Sequence, residues 1–278
     1  GAWSSAAVGG FPLCCPFRGS LLTSRYPHKC VPGHEYPMPD GMPTIADVFG
    51  AGGYRTGVFG KWHLGDNYPY RPQDRGFDDS LWFPSSHISS LPDYWENDYF
   101  NDVYCRNGSR ERYEGYCTEV FFREAMVWMK RCVRADEPFL AYLPTNAPHA
   151  PLWVPPEDRE AMEAAFAQAA HQLPNRPEEN LRRRIVRFLA MIRNVDTHLG
   201  RLRKFLDEQG IDRDTILIFM TDNGSTFGPY YYNAGMRGKK CELWEGGQRV
   251  PCFNHWPGGN LGEPRDIEGL THVQDLMP

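Results

Sequence analysis

A chain of 278 residues, 41% of them hydrophobic, can bury a sizeable core and suits one large domain or two small ones. Its net charge of −5 gives no bulk attraction to nucleic acid or an anionic membrane, though a local cationic pocket would still admit an anionic substrate. No run of eighteen or more uncharged apolar residues occurs, so nothing reads as a membrane span.

The first Met is Met38 and no charged leader precedes it, so the chain is expected to be a piece whose true beginning is absent. The eight cysteines show no paired Cys-x-x-Cys zinc spacing, and their pairing is not deducible. Pro16 reads as the first position of a short helix that carries Leu21 and Leu22 and stops before Tyr26-Pro27. Residues 43–49 read as a second helix, ended by Gly50, Gly52 and Gly53. Residues 54–59 read as a short strand that delivers Lys61 and His63 at its carboxyl end, both on one side by the alternation of an extended chain. Residues 84–113, rich in Ser, Asp, Asn, Tyr and Arg without a sustained period, read as a long loop excursion.

Apolar residues from Val120 to Cys132 recur at helical spacing. Residues 138–143 form a buried-strand candidate leading to His149, which two prolines flank closely. Residues 178–209 read as one amphipathic helix, broken at most once, with Arg182-Arg183-Arg184 on a solvated outer face. Residues 215–220 are the clearest strand, with Asp222 and Asn223 just beyond it. This alternation of helix and strand indicates an α/β sandwich. Three polar groups are expected at strand carboxyl ends: Lys61 with His63, His149, and Asp222 with Asn223. That edge is where open α/β sheets bind ligands.

Five motifs in order carry more. They are Cys14-Cys15-Pro16-Phe17-Arg18 with Leu21-Leu22-Thr23, the run Gly60-Lys61-Trp62-His63-Leu64-Gly65, Pro148-His149-Ala150-Pro151, Thr221-Asp222-Asn223-Gly224, and Lys240 ahead of Trp244-Glu245-Gly246-Gly247. Together they resemble the formylglycine-dependent sulfatases of the alkaline-phosphatase-like superfamily. The resemblance covers nearly the whole of 1–278 and implies a partial catalytic domain of that family, with 84–113 as its loop excursion. It implies an alkaline-phosphatase-like sandwich with a central, mostly parallel sheet flanked by helices, incomplete at the N-terminus and lacking the C-terminal subdomain.

By resemblance, Cys14 is oxidised to formylglycine by a formylglycine-generating enzyme. The hydrated aldehyde attacks a sulfate ester through one hydroxyl, and the second hydroxyl then expels inorganic sulfate. Phe17 stands where the family has a small residue, often Ser. Arg18 would hold the diol, Lys61 and Lys240 the sulfate, and His63 and His149 would move protons. Lys239 lies one register step from Lys240.

Asp222 and Asn223 offer hard oxygens suited to Ca²⁺ ahead of Mg²⁺, and by resemblance they bind it together with the modified Cys14. The bland alternatives are an Asx turn for Asp222-Asn223-Gly224 and an inert, packed Cys14. The family's upstream acidic pair has no counterpart, since residues 1–34 contain neither Asp nor Glu. The resemblance implies a substrate that is a sulfated small molecule or sulfated carbohydrate, and a secreted, periplasmic or lysosomal protein. A phosphate or phosphonate ester hydrolase of the same superfamily, or an inactive sulfatase-like fragment that only binds sulfated ligands, fits the same motifs. Asn107-Gly108-Ser109 is a glycosylation sequon.

Overall fold

The computed structural model describes residues 4–9, 12–169 and 177–276, and the chain divides into two compact units. One comprises Gly1–Met42 and Arg203–Pro278, the other Pro43–Leu202. The chain start Gly1-Ala2-Trp3 and the end Met277-Pro278 lie outside the described residues.

The first unit contains β1 (Ser4–Gly9), α1 (Cys14–Thr23) and the single turn α2 (Pro27–Cys30). The second opens on α3 (Ile45–Ala51), two residues later than the Pro-led reading. Thr44 caps it. Its hydroxyl accepts the Ala46 and Asp47 N–H groups, and Asp47 reaches back to the Thr44 N–H at 2.7 Å.

Then β2 (Arg55–Lys61) pairs in parallel with both β3 (Asp79–Phe83) and β6 (Phe139–Tyr142). Apart from Arg55, β2 is buried throughout, as a central parallel strand covered on both faces should be. Its start is fixed by Asp78, whose carboxylate accepts the Thr56 N–H at 2.9 Å.

The stretch 84–113 is not loop throughout. It holds β4 (Val103–Arg106) and β5 (Ser109–Arg112), an antiparallel hairpin added to β3, so the sheet runs β5-β4-β3-β2-β6. The hairpin turns on Asn107-Gly108, with φ of 48° and 90°. Two adjacent left-handed residues are the signature of the two-residue hairpin loop, and Asn-Gly is its preferred pair. Asn107 also ties the turn to β3 by accepting the Ser80 N–H at 2.7 Å.

The helix α4 (Cys117–Ala135) lays Val120, Phe121, Ala125, Trp128 and Met129 against this sheet, meeting Phe59 and Phe83. A Val, Phe or Met side chain taken fully from water there contributes about 1.5–3 kcal/mol. Next come α5 (Pro156–Ala169) and α6 (Glu179–Glu208), the latter running unbroken through Gly200. The buried Asp158 of α5 is bound by Arg193 and Asn194 of α6. Arg183 and Arg184 face solvent as expected, and Arg182 and Arg183 pair with Glu179.

Back in the first unit follow β7 (Leu217–Met220), the turns α7 (Gly228–Tyr231) and α8 (Glu245–Gln248), β8 (Arg249–His255) and β9 (Asp266–His272). Its sheet runs β7-β8-β1-β9, with β1 parallel to β9 and antiparallel to β8. Phe17 packs beneath it with Leu21, Met220, Cys252, Val273 and Leu276. The bulky departure from the family motif is thus a core side chain of this unit.

Candidate active site

In the first unit, α1 starts at Cys14 rather than at Pro16, which falls at the third helical position. Proline is tolerated there because the first N–H groups of a helix lack intrahelical acceptors in any case. No side chain caps this N-terminus, so its backbone dipole favours an anion beside Cys14. Arg18, four residues on, occupies the same helix face as Cys14, and both are buried.

Two remote segments reach the Cys14 sulfur. Lys240 Nζ donates to Sγ at 3.4 Å, and the Cys14 thiol lies 3.8 Å from Asn223 Oδ1. The orientation of the Asn223 amide follows from its own backbone: Nδ2 donates to the Gly224 carbonyl at 3.2 Å, which leaves Oδ1 for Cys14. The Lys240 loop is anchored ahead of α1, where the Cys241 N–H donates to the Pro12 carbonyl at 3.0 Å.

Glycine is required at Gly224. A Cβ there would collide with the Gly246 carbonyl, and the Gly224 N–H bonds Gly247 at 2.8 Å. The Asp-Asn-Gly and Trp-Glu-Gly-Gly motifs are therefore one packed object, with Cys14, Asn223 and Lys240 gathered at its edge. Asp222 is half-buried beside Asn223. Lys239 turns away, its ammonium 5.8 Å from the centre of the Tyr230 ring. The neighbouring Tyr231 is half-buried, and burial pushes its hydroxyl pKa up.

A carboxylate and an amide oxygen are the hard donors a dication takes, so Asp222 and Asn223, the latter with Oδ1 3.8 Å from Cys14 Sγ, fit a calcium or magnesium ion in kind. They are two of the roughly six to eight oxygens such an ion needs.

In the second unit, Lys61 ends β2 and is 2% exposed, which rules out a snorkelling surface lysine. His63 is equally buried, but the alternation argument for it does not hold. Its φ is +59°, so the strand ends at Lys61 and the chain reverses hand at His63. Trp62 between them is fully buried, its indole N–H donating to the Tyr70 carbonyl at 2.8 Å.

Gly60 explains the approach of Lys61 to the His149 loop. At φ +130° any Cβ would strike the Pro144 carbonyl, whose oxygen accepts the Lys61 N–H at 2.6 Å. That loop runs on to His149, half-buried, whose carbonyl accepts the Tyr99 hydroxyl at 3.0 Å. His149 Nδ1 stands 2.6 Å from the Ala150 carbonyl. A carbonyl only accepts, so Nδ1 carries the proton and any proton exchange at this ring runs through Nε2.

The structure thus joins Cys14, Asn223 and Lys240 in one unit, with Arg18 and Asp222 on the same elements. Lys61, His63 and His149 share the carboxyl edge of the other unit's sheet. Sequence reasoning passed over His87 and the Asn107-Gly108 turn. The turn carried a readable two-residue signal, whereas His87 stood in a polar run with no spacing to mark it.

The chain spans about half the length of the curated relatives it matches. It is 27% identical to the ulvan-active sulfatase of Formosa agariphila over 98% of this chain and 52% of that protein. It is 29% identical to the arylsulfatase of Klebsiella aerogenes over 80% of this chain and 58% of that one. The solved structure of Ps i-CgsB in complex with k-i-k-neocarrahexaose superposes with a TM-score of 0.83 at 27% identity, covering 99% of this chain and 62% of that one. The fold is α/β, and its structural neighbours include sulfatases of the alkaline-phosphatase-like fold. The family profile described as Sulfatase matches residues 2–278, and with the motifs in order along that span the chain belongs to the sulfatase family.

Proposed function

We propose that the protein containing this chain hydrolyses sulfate esters to an alcohol and inorganic sulfate, using formylglycine made from Cys14. The observation that carries this reading is the position of Cys14: an uncapped helix start, with Lys240 Nζ at 3.4 Å and Asn223 Oδ1 at 3.8 Å. In the modified protein, oxygens on the same side-chain carbon stand where Sγ stands. The hydrated aldehyde supplies a nucleophilic oxygen and a second hydroxyl whose loss releases sulfate.

Lys240 then faces the transferring anion as a point charge, and the first N–H groups of α1 add their dipole. Arg18 holds the oxygens at position 14 from one helical turn away. Lys61 is proposed to bind sulfate, and His63 to take the proton whose loss frees it. His149, through Nε2, serves the leaving oxygen. Asp222, Asn223 and position 14 would hold the divalent cation, Ca²⁺ by family habit, which supplies charge neutralisation when bound. A formylglycine-generating enzyme is the maturation partner, and a secreted, periplasmic or lysosomal setting follows from the same reading.

Mass spectrometry of the peptide containing Cys14 tests the proposal. Conversion to the aldehyde together with release of sulfate from an aryl sulfate supports it, whereas an unmodified thiol with no turnover refutes it. Aryl phosphate and phosphonate esters assayed alongside would show faster turnover if the protein were a phosphoesterase instead.

A further inference from the structure

Tyr99 holds a backbone conformation that a bulky side chain seldom adopts. Its φ is +84°, in the left-handed half of the map, and its side chain is fully buried. Such a residue persists only where its surroundings hold it there, and an outlier of this kind points to function. Two bonds hold the Tyr99 backbone. Asp102 Oδ2 accepts its N–H at 2.8 Å, and its carbonyl accepts the Cys117 N–H at 2.8 Å. Its ring meets Tyr116 and Trp153 edge-on, with centroids 6.4 and 5.4 Å away.

Packing alone does not call for this residue. Phenylalanine would fill the same space, and glycine or asparagine would take the backbone at lower cost. What tyrosine adds is the hydroxyl, which donates to the His149 carbonyl at 3.0 Å. Burial pushes its pKa up, so it stays protonated, and a donor, across the ordinary pH range.

The rest of the His149 backbone is tied as well. Its N–H donates to the Asn146 carbonyl at 3.0 Å. Asn146 is 2% exposed, and its Oδ1 accepts the Ile88 N–H at 3.2 Å, which pins that turn to a second loop. Four residues beyond His149, the Trp153 carbonyl accepts the Tyr116 hydroxyl at 3.0 Å. Both main-chain polar groups of His149 are therefore engaged, and Nδ1 faces the Ala150 carbonyl. Where Nε2 stands thus follows from where this backbone is held. A reacting group misplaced by about 1 Å can cost about a hundredfold in rate.

We propose that Tyr99 is a positioning residue: its hydroxyl fixes the His149 backbone and thereby sets Nε2 against the leaving oxygen of the ester. The link to the leaving oxygen rests on the hydrolase reading above; the fixing of His149 does not.

The test compares Tyr99→Phe with Tyr104→Phe in the full-length protein. Tyr104 is as deeply buried, but its hydroxyl is 3.4 Å from Asp102 rather than on the His149 segment. The ratio kcat/KM is measured on aryl sulfates whose leaving phenols run from acidic, as in 4-nitrophenyl sulfate, to weakly acidic, as in 4-methoxyphenyl sulfate. Proton donation matters most for the poorer leaving group. Tyr99→Phe should lose about twofold on the first and about tenfold on the second, the span one hydrogen bond covers. Tyr104→Phe should lose the same factor on both. A Tyr99→Phe deficit that is equal along the series, or absent, overturns the proposal, because a merely structural role lowers all esters alike.

Carbethoxylation of His149 by diethyl pyrocarbonate, followed by peptide mass, reads the fixing without turnover. It should run at least about threefold faster in Tyr99→Phe than in the parent or Tyr104→Phe, and equal rates overturn the proposal. Should Tyr99→Phe not fold, Tyr99→Met, which also lacks the hydroxyl, is carried through both measurements. A parent that releases sulfate from no ester refutes the hydrolase reading, while faster carbethoxylation in Tyr99→Phe leaves the fixing of His149 standing.

Discussion

The imidazoles of His87 and His149 stack, with ring centroids 4.8 Å apart and planes inclined by 24°. His87 is itself steered by Ser86, whose hydroxyl is 2.8 Å from Nδ1. With the Ala150 carbonyl on Nδ1 of His149, the stack leaves that ring one orientation. Replacing His149 by Ala should lower kcat by about 10²–10⁴, the usual worth of a proton-moving group. His87→Ala should lower kcat by a smaller factor, and His87→Phe, which keeps a ring in the stack, should restore most of it. Equal losses in Ala and Phe variants would show that His87 acts by something other than stacking.

Lys240 and Lys239 are adjacent, and only Lys240 reaches Cys14. Lys240→Ala should reduce kcat/KM by about 10²–10³, comparable to deleting one preorganised donor at a developing anion. Lys239→Ala should stay near the parent value. The aldehyde content of each variant, read by mass spectrometry, separates lost catalysis from lost maturation.

Chelation tests the cation. Incubation with a chelator should abolish sulfate release, and added Ca²⁺ should restore it. Asp222→Asn removes the one carboxylate of the pair and should raise the Ca²⁺ concentration needed for half-recovery. Activity indifferent to chelator would count against Asp222 and Asn223 as ligands.

Asp93 is half-buried, and desolvation raises its carboxyl pKa to about 6 despite the Ser89 and Asn97 hydrogen bonds. The unfolded chain titrates near the ordinary value of 3.8, so between about pH 6 and 4 the folded state binds more protons than the unfolded state. This group therefore adds stability as pH falls through that window. Asp102, raised to about 6 by burial as well, acts in the same direction. Thermal melts of Asp93→Asn against the parent should show a smaller gain between pH 7 and 5 in the variant.

Gly60→Ala places a methyl group against the Pro144 carbonyl at a φ of +130°. Strain of that kind costs about 1–3 kcal/mol before the clash is counted. Denaturant unfolding should show a lower midpoint, and the surviving folded fraction should lose activity because Lys61 and the His149 loop are both displaced. An unchanged midpoint would mean the strand end can move aside.

Long periodic elements were legible because burial imposes their period: α4 and α6 lie within a few residues of their expected spans, and β2, β6 and β7 stand where the apolar runs indicated. The single break allowed for in the long helix is not taken, and Gly200 within it costs only about 1 kcal/mol against the packing of 30 residues. The hairpin β4–β5 escaped notice because its strands are polar and short, and only Asn107-Gly108 announces it. The reversal at His63 is not written in residue types, because a left-handed histidine is imposed by surrounding packing. The alliance of Cys14 with Lys240, 226 positions apart, was available only through family resemblance. No periodicity reports a contact at that separation.

The outermost strand β5 reads Ser109-Arg110-Glu111-Arg112, and all four residues are exposed. Its free backbone groups form an open seam to which a foreign strand could be stitched. Charges of alternating sign on a segment this short discourage such self-association. Rebuilding this hairpin with apolar residues would therefore cost solubility.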